Sequence, residues 1–190
     1  MLSMAAARRA LALDDNDPVA YFAIARVQML RGAHDASISE LEKALALNPN
    51  FAQARHGLGM VYALAGRLEE AIEELETSLR LSPRDPLRFA TETIRALAAL
   101  LQRDYAGAIE WTRKAILEPT AVGGGYWPHA VLAAACANLD RMEEARSALA
   151  TALEHKPDLT RSYIREMLPV KATDGLRHYL IGLERAGLAE

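Results

Sequence analysis

The sequence predicts an all-α fold, a right-handed α-solenoid of helix-turn-helix repeats with C-terminal capping helices. Three observations indicate this fold. Residues 52–85 repeat the pattern of residues 18–51 after an interval of 34 residues, which is typical of helix-turn-helix repeats. Apolar residues recur with helical spacing along almost the whole chain, and no segment alternates convincingly over the length of a strand. Small residues return at fixed places in the repeats.

The chain begins with half a repeat, in residues 1–17. Ala10 lies 34 residues before Ala44, so we interpret this segment as the second helix of a repeat whose first helix is missing. The missing helix predicts that the chain is a fragment of a longer protein or a partial gene product.

Two full repeats follow, residues 18–51 and 52–85, and they match each other closely. Gly32 and Gly66 lie between the two helices of each repeat, where a left-handed backbone is easiest for glycine. Proline ends the second helices, because it cannot continue the hydrogen-bond ladder. The prolines assigned to this place are Pro49, Pro83, Pro119 and Pro157.

The interval widens to 37 residues in the last two full repeats, 86–122 and 126–159. Arg103 and Asp140 replace the turn glycine there. The run Gly123–Gly125 could be a phosphate-binding loop, but it lacks the lysine and the Ser or Thr of a P-loop and follows no strand. We therefore interpret it as a linker between repeats.

Small residues are predicted where two helices approach closely, because a large side chain would overpack the contact. They are Ala25, Gly59, Ala96 and Ala133 on the first helices and Ala71, Ala108 and Ala145 on the second helices. Residues 160–190 are expected to form a cap of two helices that covers the last exposed face. The apolar stripe predicted for the final helix is Leu176, Leu180 and Leu183, and Gly187 ends that helix.

The period, the turn glycines and the small residues together resemble the tetratricopeptide repeat (TPR) family. The resemblance covers residues 4–158 and is specific in the first two full repeats. A narrower resemblance, carried by residues 84–111, 126–153 and 182–188, is to the C-terminal TPR array of bacterial class III adenylate/guanylate cyclase-like proteins and winged-helix regulators. In that group the array follows a catalytic or DNA-binding domain, and neither domain is present in this sequence.

Composition limits the classes of partner and compartment. The net charge of −3 and the pI of about 6.0 give no basic field that would favour nucleic acid or an anionic membrane. No apolar run approaches the roughly 20 residues that span a bilayer. The single cysteine, Cys136, excludes an intramolecular disulfide and suits a reducing compartment, so we expect a cytoplasmic protein.

No residue pattern indicates catalysis or a cofactor. The histidines have no metal-ligand spacing with one another, and His129 and Cys136, seven residues apart, are only two ligands. No nucleophile has the partners of a triad. The glutamates of residues 69–76 and 143–144 are interpreted as solvated residues at helix starts. We therefore predict no catalytic, cofactor-binding or metal-binding residue, no cofactor, and no enzymatic activity.

Glu92 and Arg95 occupy places on a first helix that are normally apolar. Because they are three residues apart, they can meet on one face. They are either a partly buried ion pair or a polar contact to a partner or an adjoining domain.

The best candidate site is the inner groove, which in the TPR family is lined by the first helices. Its apolar, aromatic and methionine side chains suit a partner peptide or helix. The predicted partner-binding residues are Phe22, Arg26, Met29, Gln53, His56, Met60, Thr93, Leu97, Trp127 and Asn138. In the alternative interpretation, a neighbouring subunit or the C-terminal helix fills the groove.

The predicted function is protein–protein interaction, as the regulatory, scaffolding or oligomerising arm of a bacterial signalling protein. The partner would be a protein, a peptide or an adjoining domain of a longer chain, and the chain could form a homodimer. Two alternatives remain at this level: a regulatory fragment of a cyclase-type enzyme, and a small-ligand sensor around Phe22, His56 and Trp127.

Overall fold

The computed structural model describes residues 4–117, 125–168 and 174–190, and within these ranges every regular element is an α-helix. The predicted all-α fold class is thereby confirmed. The helices are α1 (Met4–Leu13), α2 (Pro18–Leu30), α3 (His34–Leu47), α4 (Ala52–Ala65), α5 (Leu68–Leu81), α6 (Arg88–Leu101), α7 (Tyr105–Leu117), α8 (Tyr126–Asn138), α9 (Met142–His155), α10 (Arg161–Met167) and α11 (Asp174–Ala186).

These helices group into two compact units, Met1–Pro83 and Arg84–Glu190. The single domain over residues 1–190, which the sequence predicts, stays a prediction. No helix in the described ranges is both long enough and apolar enough to cross a membrane.

Unit 1 contains α1–α5, and each helix packs against the next one along the chain. Asp17 begins α2, because its side chain accepts a hydrogen bond of 2.8 Å from the Val19 backbone N–H. Gly32 and Gly66 follow α2 and α4 with φ of +72° and +80°. The left-handed turns predicted at these two glycines are therefore confirmed.

Close helix packing explains the small residues of unit 1. A Cβ atom on Gly59 would lie 2.6 Å from Leu75 Cγ and 3.0 Å from the Ala71 carbonyl oxygen, so any side chain there would push α4 away from α5. Ala25 is likewise fully buried on α2, where its carbonyl oxygen accepts a hydrogen bond of 2.8 Å from Ser37 Oγ of α3. The predicted close approach is confirmed at both places.

Unit 2 contains α6–α11, and its repeats keep the same arrangement of paired helices. Arg103 and Asp140 hold the turn conformation of the missing glycines, with φ of +65° and +60°. Three second helices, α3, α5 and α9, end two residues before Pro49, Pro83 and Pro157, as predicted. Pro119 and two residues of the predicted linker, Gly123 and Gly124, lie outside the described residues.

The C-terminal cap consists of α10 and α11. Thr160 begins α10 by accepting a hydrogen bond of 3.0 Å from the Tyr163 backbone N–H. Gly187, with φ of +111°, ends α11 as predicted. The end of the chain returns to α10, because the Arg161 backbone N–H donates to the Ala189 carbonyl over 3.0 Å. The position of α11 then decides what the first helices of unit 2 present to solvent.

Candidate protein-binding faces

In unit 1 the first helices of the two repeats, α2 and α4, are in contact and form one face, which we call the α2–α4 face. Six of the predicted partner-binding residues lie on these two helices: Phe22, Arg26, Met29, Gln53, His56 and Met60. Arg26 and Gln53 are exposed, and the other four are partly exposed. All six therefore keep surface that a partner could reach.

An aromatic pair gives the α2–α4 face a fixed apolar centre. The Phe22 and Phe51 rings are tilted against each other, with their centroids 5.3 Å apart. The Arg26 guanidinium lies 5.7 Å from the centroid of the Phe22 ring, within the range of a cation–π contact. Gly57 packs against the ring, since a Cβ atom there would lie 3.4 Å from Phe22 Cε2. The face thus combines a rigid aromatic ring with a positive charge.

In unit 2 the equivalent helices α6 and α8 are covered by another part of the chain. Helix α11 packs against both of them, and we call the covered surface the α6–α8 face. The predicted partner-binding residues Thr93 and Leu97 on α6 are only 1% and 2% exposed. The C-terminal helix therefore covers this face. The alternative interpretation of the sequence named this helix, or a neighbouring subunit, as the occupant of the groove. The partner-binding role of Thr93 and Leu97 stays a prediction.

The other two predicted residues of unit 2 lie on α8. Asn138 is half-buried, and its Nδ2 donates a hydrogen bond of 3.1 Å to the His178 carbonyl oxygen of α11. Trp127 is also half-buried, near the start of α8. Asn138 thus holds an internal helix in this structure.

The contact between α11 and the α6–α8 face depends on two glycines. A Cβ atom on Gly175 would lie 2.2 Å from the Leu101 carbonyl oxygen, and one on Gly182 would lie 2.6 Å from the Ala134 carbonyl oxygen. No side chain fits at these distances, so the backbone of α11 touches the backbones of α6 and α8 directly.

The buried stripe of α11 differs from the predicted one. Leu176 and Leu183 are buried as expected, but Leu180 is partly exposed and Tyr179 is fully buried in its place. The stripe shifts because the two glycines, seven residues apart, set which side of the helix meets α8. A glycine inside a helical pattern is the sequence signal that could have shown this close approach.

Two pairs of residues meet that the spacing in the sequence does not bring together. The rings of His129 on α8 and His155 on α9 are stacked, with centroids 5.7 Å apart. The pKa of His129 is lowered, first because its ring is partly buried and then because it faces His155. Tyr105 Oη lies 3.1 Å from His178 Nδ1. In the described ranges no group of three or more His, Cys, Asp or Glu side chains is arranged to hold a metal ion.

Two polar residues on α6 that the sequence singled out differ in burial: Glu92 is buried, whereas Arg95 is partly exposed. Glu92 is fully buried, and its Oε1 accepts a hydrogen bond of 2.9 Å from Arg88 Nε. The Arg95 guanidinium lies 5.2 Å from the centroid of the Trp111 ring on α7. Cys136 on α8 is also fully buried, and burial raises the pKa of its thiol, which disfavours the thiolate form.

Comparison with known proteins agrees with this architecture. Residues 29–91 match the model of the tetratricopeptide repeat family. A search of curated protein sequences finds no match. Among solved structures the chain is similar to PilW, a widely conserved type IV pilus biogenesis factor, with a TM-score of 0.74 and 15% identity over 92% of this chain and 80% of that chain.

Two further structures are similar. YrrB, a TPR protein with an unusual peptide-binding site, has a TM-score of 0.65 and 18% identity over 97% of this chain and 92% of that chain. A thermophilic TPR protein of Thermus thermophilus has a TM-score of 0.67 and 23% identity over 86% of this chain and 87% of that chain. At these identities the likeness is one of fold. The chain therefore has the fold of tetratricopeptide-repeat proteins, and its residues 29–91 match the model of that repeat family.

Proposed function

We propose that the chain is a non-catalytic protein-binding module and that the α2–α4 face of unit 1 is its open binding face. One observation supports this proposal above the others. The predicted residues of α2 and α4 keep exposed surface, whereas Thr93 and Leu97 of the α6–α8 face are buried.

The side chains of the α2–α4 face suit a peptide. Phe22 and Met60 offer apolar surface, and a partly exposed aromatic ring loses little side-chain entropy on binding. Arg26 adds a positive charge beside the ring, which favours a partner with a carboxylate next to an apolar anchor. TPR-fold proteins are generally scaffolds for protein partners, and YrrB, which has this fold, has a peptide-binding site.

A selection of peptides from a random library on the full chain tests this proposal. Peptides that are enriched should contain an apolar residue next to an acidic one. Their binding, measured by calorimetry, should fall at least tenfold in Arg26→Glu and in Met60→Glu. Arg9→Glu on α1 and Ala46→Glu on α3 are matched controls, because both positions are exposed and lie off the face. Selected peptides that bind all four variants equally would contradict the assignment of the face.

We further propose that the module is a regulatory or oligomerising arm of a bacterial signalling protein in the cytoplasm. The support is the resemblance of residues 84–111 and 126–153 to regulator-type TPR arrays, together with the single buried cysteine. The reading frame upstream of Met1 tests the first part, since a frame without an effector domain would count against it. Light scattering over a concentration series tests homodimer formation, which a constant monomer mass would exclude.

A further inference from the structure

Helix α11 packs on the α6–α8 face as a bound partner helix would. One side of its 13 residues is buried, and the opposite side is exposed and, apart from Ile181, charged. The buried side consists of Gly175, Leu176, Tyr179, Gly182, Leu183 and Ala186. Counted from Gly175, small residues therefore stand at positions 1, 8 and 12, and large apolar residues stand at positions 2, 5 and 9.

The surface under α11 is shaped for this pattern. Gly182 of α11 lies against Ala134 of α8, and the buried residues Ala130 and Ala137, four before and three after Ala134, share that side of α8. The two glycines of α11 lie on the backbones of α6 and α8, at distances that exclude any side chain. A helix with larger residues at positions 1 and 8 could not reach this depth. The face therefore selects for small residues seven apart.

Polar contacts join the edges of α11 to its surroundings. Asn138 Nδ2 donates to the His178 carbonyl oxygen over 3.1 Å, Tyr105 Oη lies 3.1 Å from His178 Nδ1, and Arg161 pairs with Glu184 at 2.8 Å. Ion pairs join Arg103 to Asp174 and Asp140 to Arg185, and all four side chains are more than one third exposed. Exposed pairs of this kind contribute about 0–1 kcal/mol each. The hydroxyl of Tyr179 is buried and finds no hydrogen-bond partner among the described residues, which costs free energy in the docked state. Docking of α11 thus combines an apolar fit with polar contacts at its edges, and another helix of the same pattern can supply the apolar fit.

We propose that the α6–α8 face is a second docking site, specific for an amphipathic helix with small residues at positions 1 and 8 and apolar residues at positions 2, 5 and 9. Helix α11 is its resident intramolecular ligand, and a partner helix with this pattern displaces it. The proposal rests on the proposed function as a protein-binding module. Because α11 is tethered, it competes at a high effective concentration and reduces the apparent affinity for any partner.

A labelled synthetic peptide of residues 174–190 tests the proposal by fluorescence anisotropy on the full chain. Gly182→Leu should force α11 off the face, because its Cβ would lie 2.6 Å from the Ala134 carbonyl oxygen. We expect the peptide to bind this variant at least tenfold more tightly than it binds the wild-type chain. Arg177→Leu, at an exposed position of α11, should bind the peptide no better than the wild type does. A peptide that itself contains Gly182→Leu should not bind.

Hydrogen exchange of the wild-type chain gives a second test that needs no variant. If α11 is a ligand, its amides should exchange through a local opening while the amides of α8 stay protected. Exchange of the α11 and α8 amides in one event would overturn the proposal. Two results with Gly182→Leu would also overturn it: unfolding of unit 2, or a folded variant that binds no peptide. Binding at the α2–α4 face is measured separately through Arg26→Glu, so a failure of one site is distinguishable from a failure of the other.

Discussion

At the scale of single residues, two polar side chains on α6 show how this repeat departs from its apolar pattern. Glu92 is fully buried and accepts a hydrogen bond from Arg88, and Arg95 stacks on Trp111. Burial of a charged group is tolerated only where partners compensate for lost hydration. The sequence predicted that these side chains could be partly buried, because their places on the helix are normally apolar.

Replacing Arg95 by alanine should lower the thermal midpoint by a few degrees. The variant loses a cation–π contact and the packing of a long side chain over the Trp111 ring, which together contribute about 1 kcal/mol. A loss of this size shifts the midpoint of a protein of roughly 150–250 residues by about 2–4 °C. Thermal unfolding followed by circular dichroism measures it, with Arg146→Ala at an exposed place on α9 as the control. An unchanged midpoint would mean that the Arg95 side chain is solvated.

The stacked histidines predict that stability falls in mild acid. The pKa of His129 is lowered in the folded protein, so the neutral ring is favoured there, and the unfolded chain takes up the proton more readily. The stabilisation is complete above the unfolded pKa of about 6.5 and is lost as the pH falls through the lowered folded pKa. Urea unfolding should therefore show a smaller free energy at pH 5 than at pH 7.5.

His129→Phe separates this effect from other acid-sensitive groups, because it keeps a ring against His155 but cannot titrate. The pKa of His178 is also lowered, by partial burial and by the nearby Arg103 and Arg177, so some pH dependence should remain in the variant. If the variant shows the same difference between pH 5 and pH 7.5 as the wild type, His129 is not the responsible group.

At the scale of the elements, the turns between paired helices share a residue with positive φ, which is glycine in unit 1 and a residue with a side chain in unit 2. Gly32 and Gly66 adopt positive φ without cost, whereas Arg103 and Asp140 adopt it against the steric preference of a side chain. The turn conformation could be predicted from the repeat alone, since the period places Arg103 and Asp140 where glycine stands in the earlier copies.

Arg103→Gly should consequently raise the stability of unit 2 by about 0.5–1 kcal/mol. The gain is smaller than the full left-handed penalty of about 1–2 kcal/mol, because glycine is more flexible when unfolded and because the exposed pair with Asp174 is lost. Gly66→Ala is the mirror experiment and should destabilise by a similar amount. Urea unfolding measures both. A lower stability of Arg103→Gly would show that its contact with Asp174 outweighs the backbone strain.

The placement of α11 could not be predicted in the same way. The repeat period predicts which residues of α2, α4, α6 and α8 share an equivalent face, and the buried alanines and Gly59 agree with it. Helix α11 belongs to no repeat, so no earlier copy indicates where it packs. Its apolar spacing allows either Leu180 or Tyr179 on the buried side. Which of the two is buried depends on the close contact of Gly182 with α8.

At the scale of the whole molecule, the charge is spread over short-range exposed pairs. The net charge is −3, so long-range repulsion is small. Pairs such as Arg113–Glu144 and Arg141–Glu144 have both side chains more than one third exposed. Other pairs are better shielded, such as Arg88–Glu92, with a fully buried carboxylate, and Arg55–Glu74, whose side chains are 25% and 17% exposed.

Stability should therefore depend only weakly on salt. Exposed pairs contribute about 0–1 kcal/mol each, and at about 1 M salt the screening length falls to roughly 3 Å, so most of that contribution disappears. The shielded pairs and the apolar core are affected much less, since water and ions do not reach them. Thermal midpoints at about 0.05 M and 1 M sodium chloride should differ by only a few degrees. Glu74→Gln should lower the midpoint at both salt concentrations. Arg55 Nη1 donates to both Glu74 carboxylate oxygens, at 3.0 and 2.8 Å, and the amide keeps only one acceptor oxygen and no charge. A large loss of stability in high salt would show instead that the exposed pairs act together as a network.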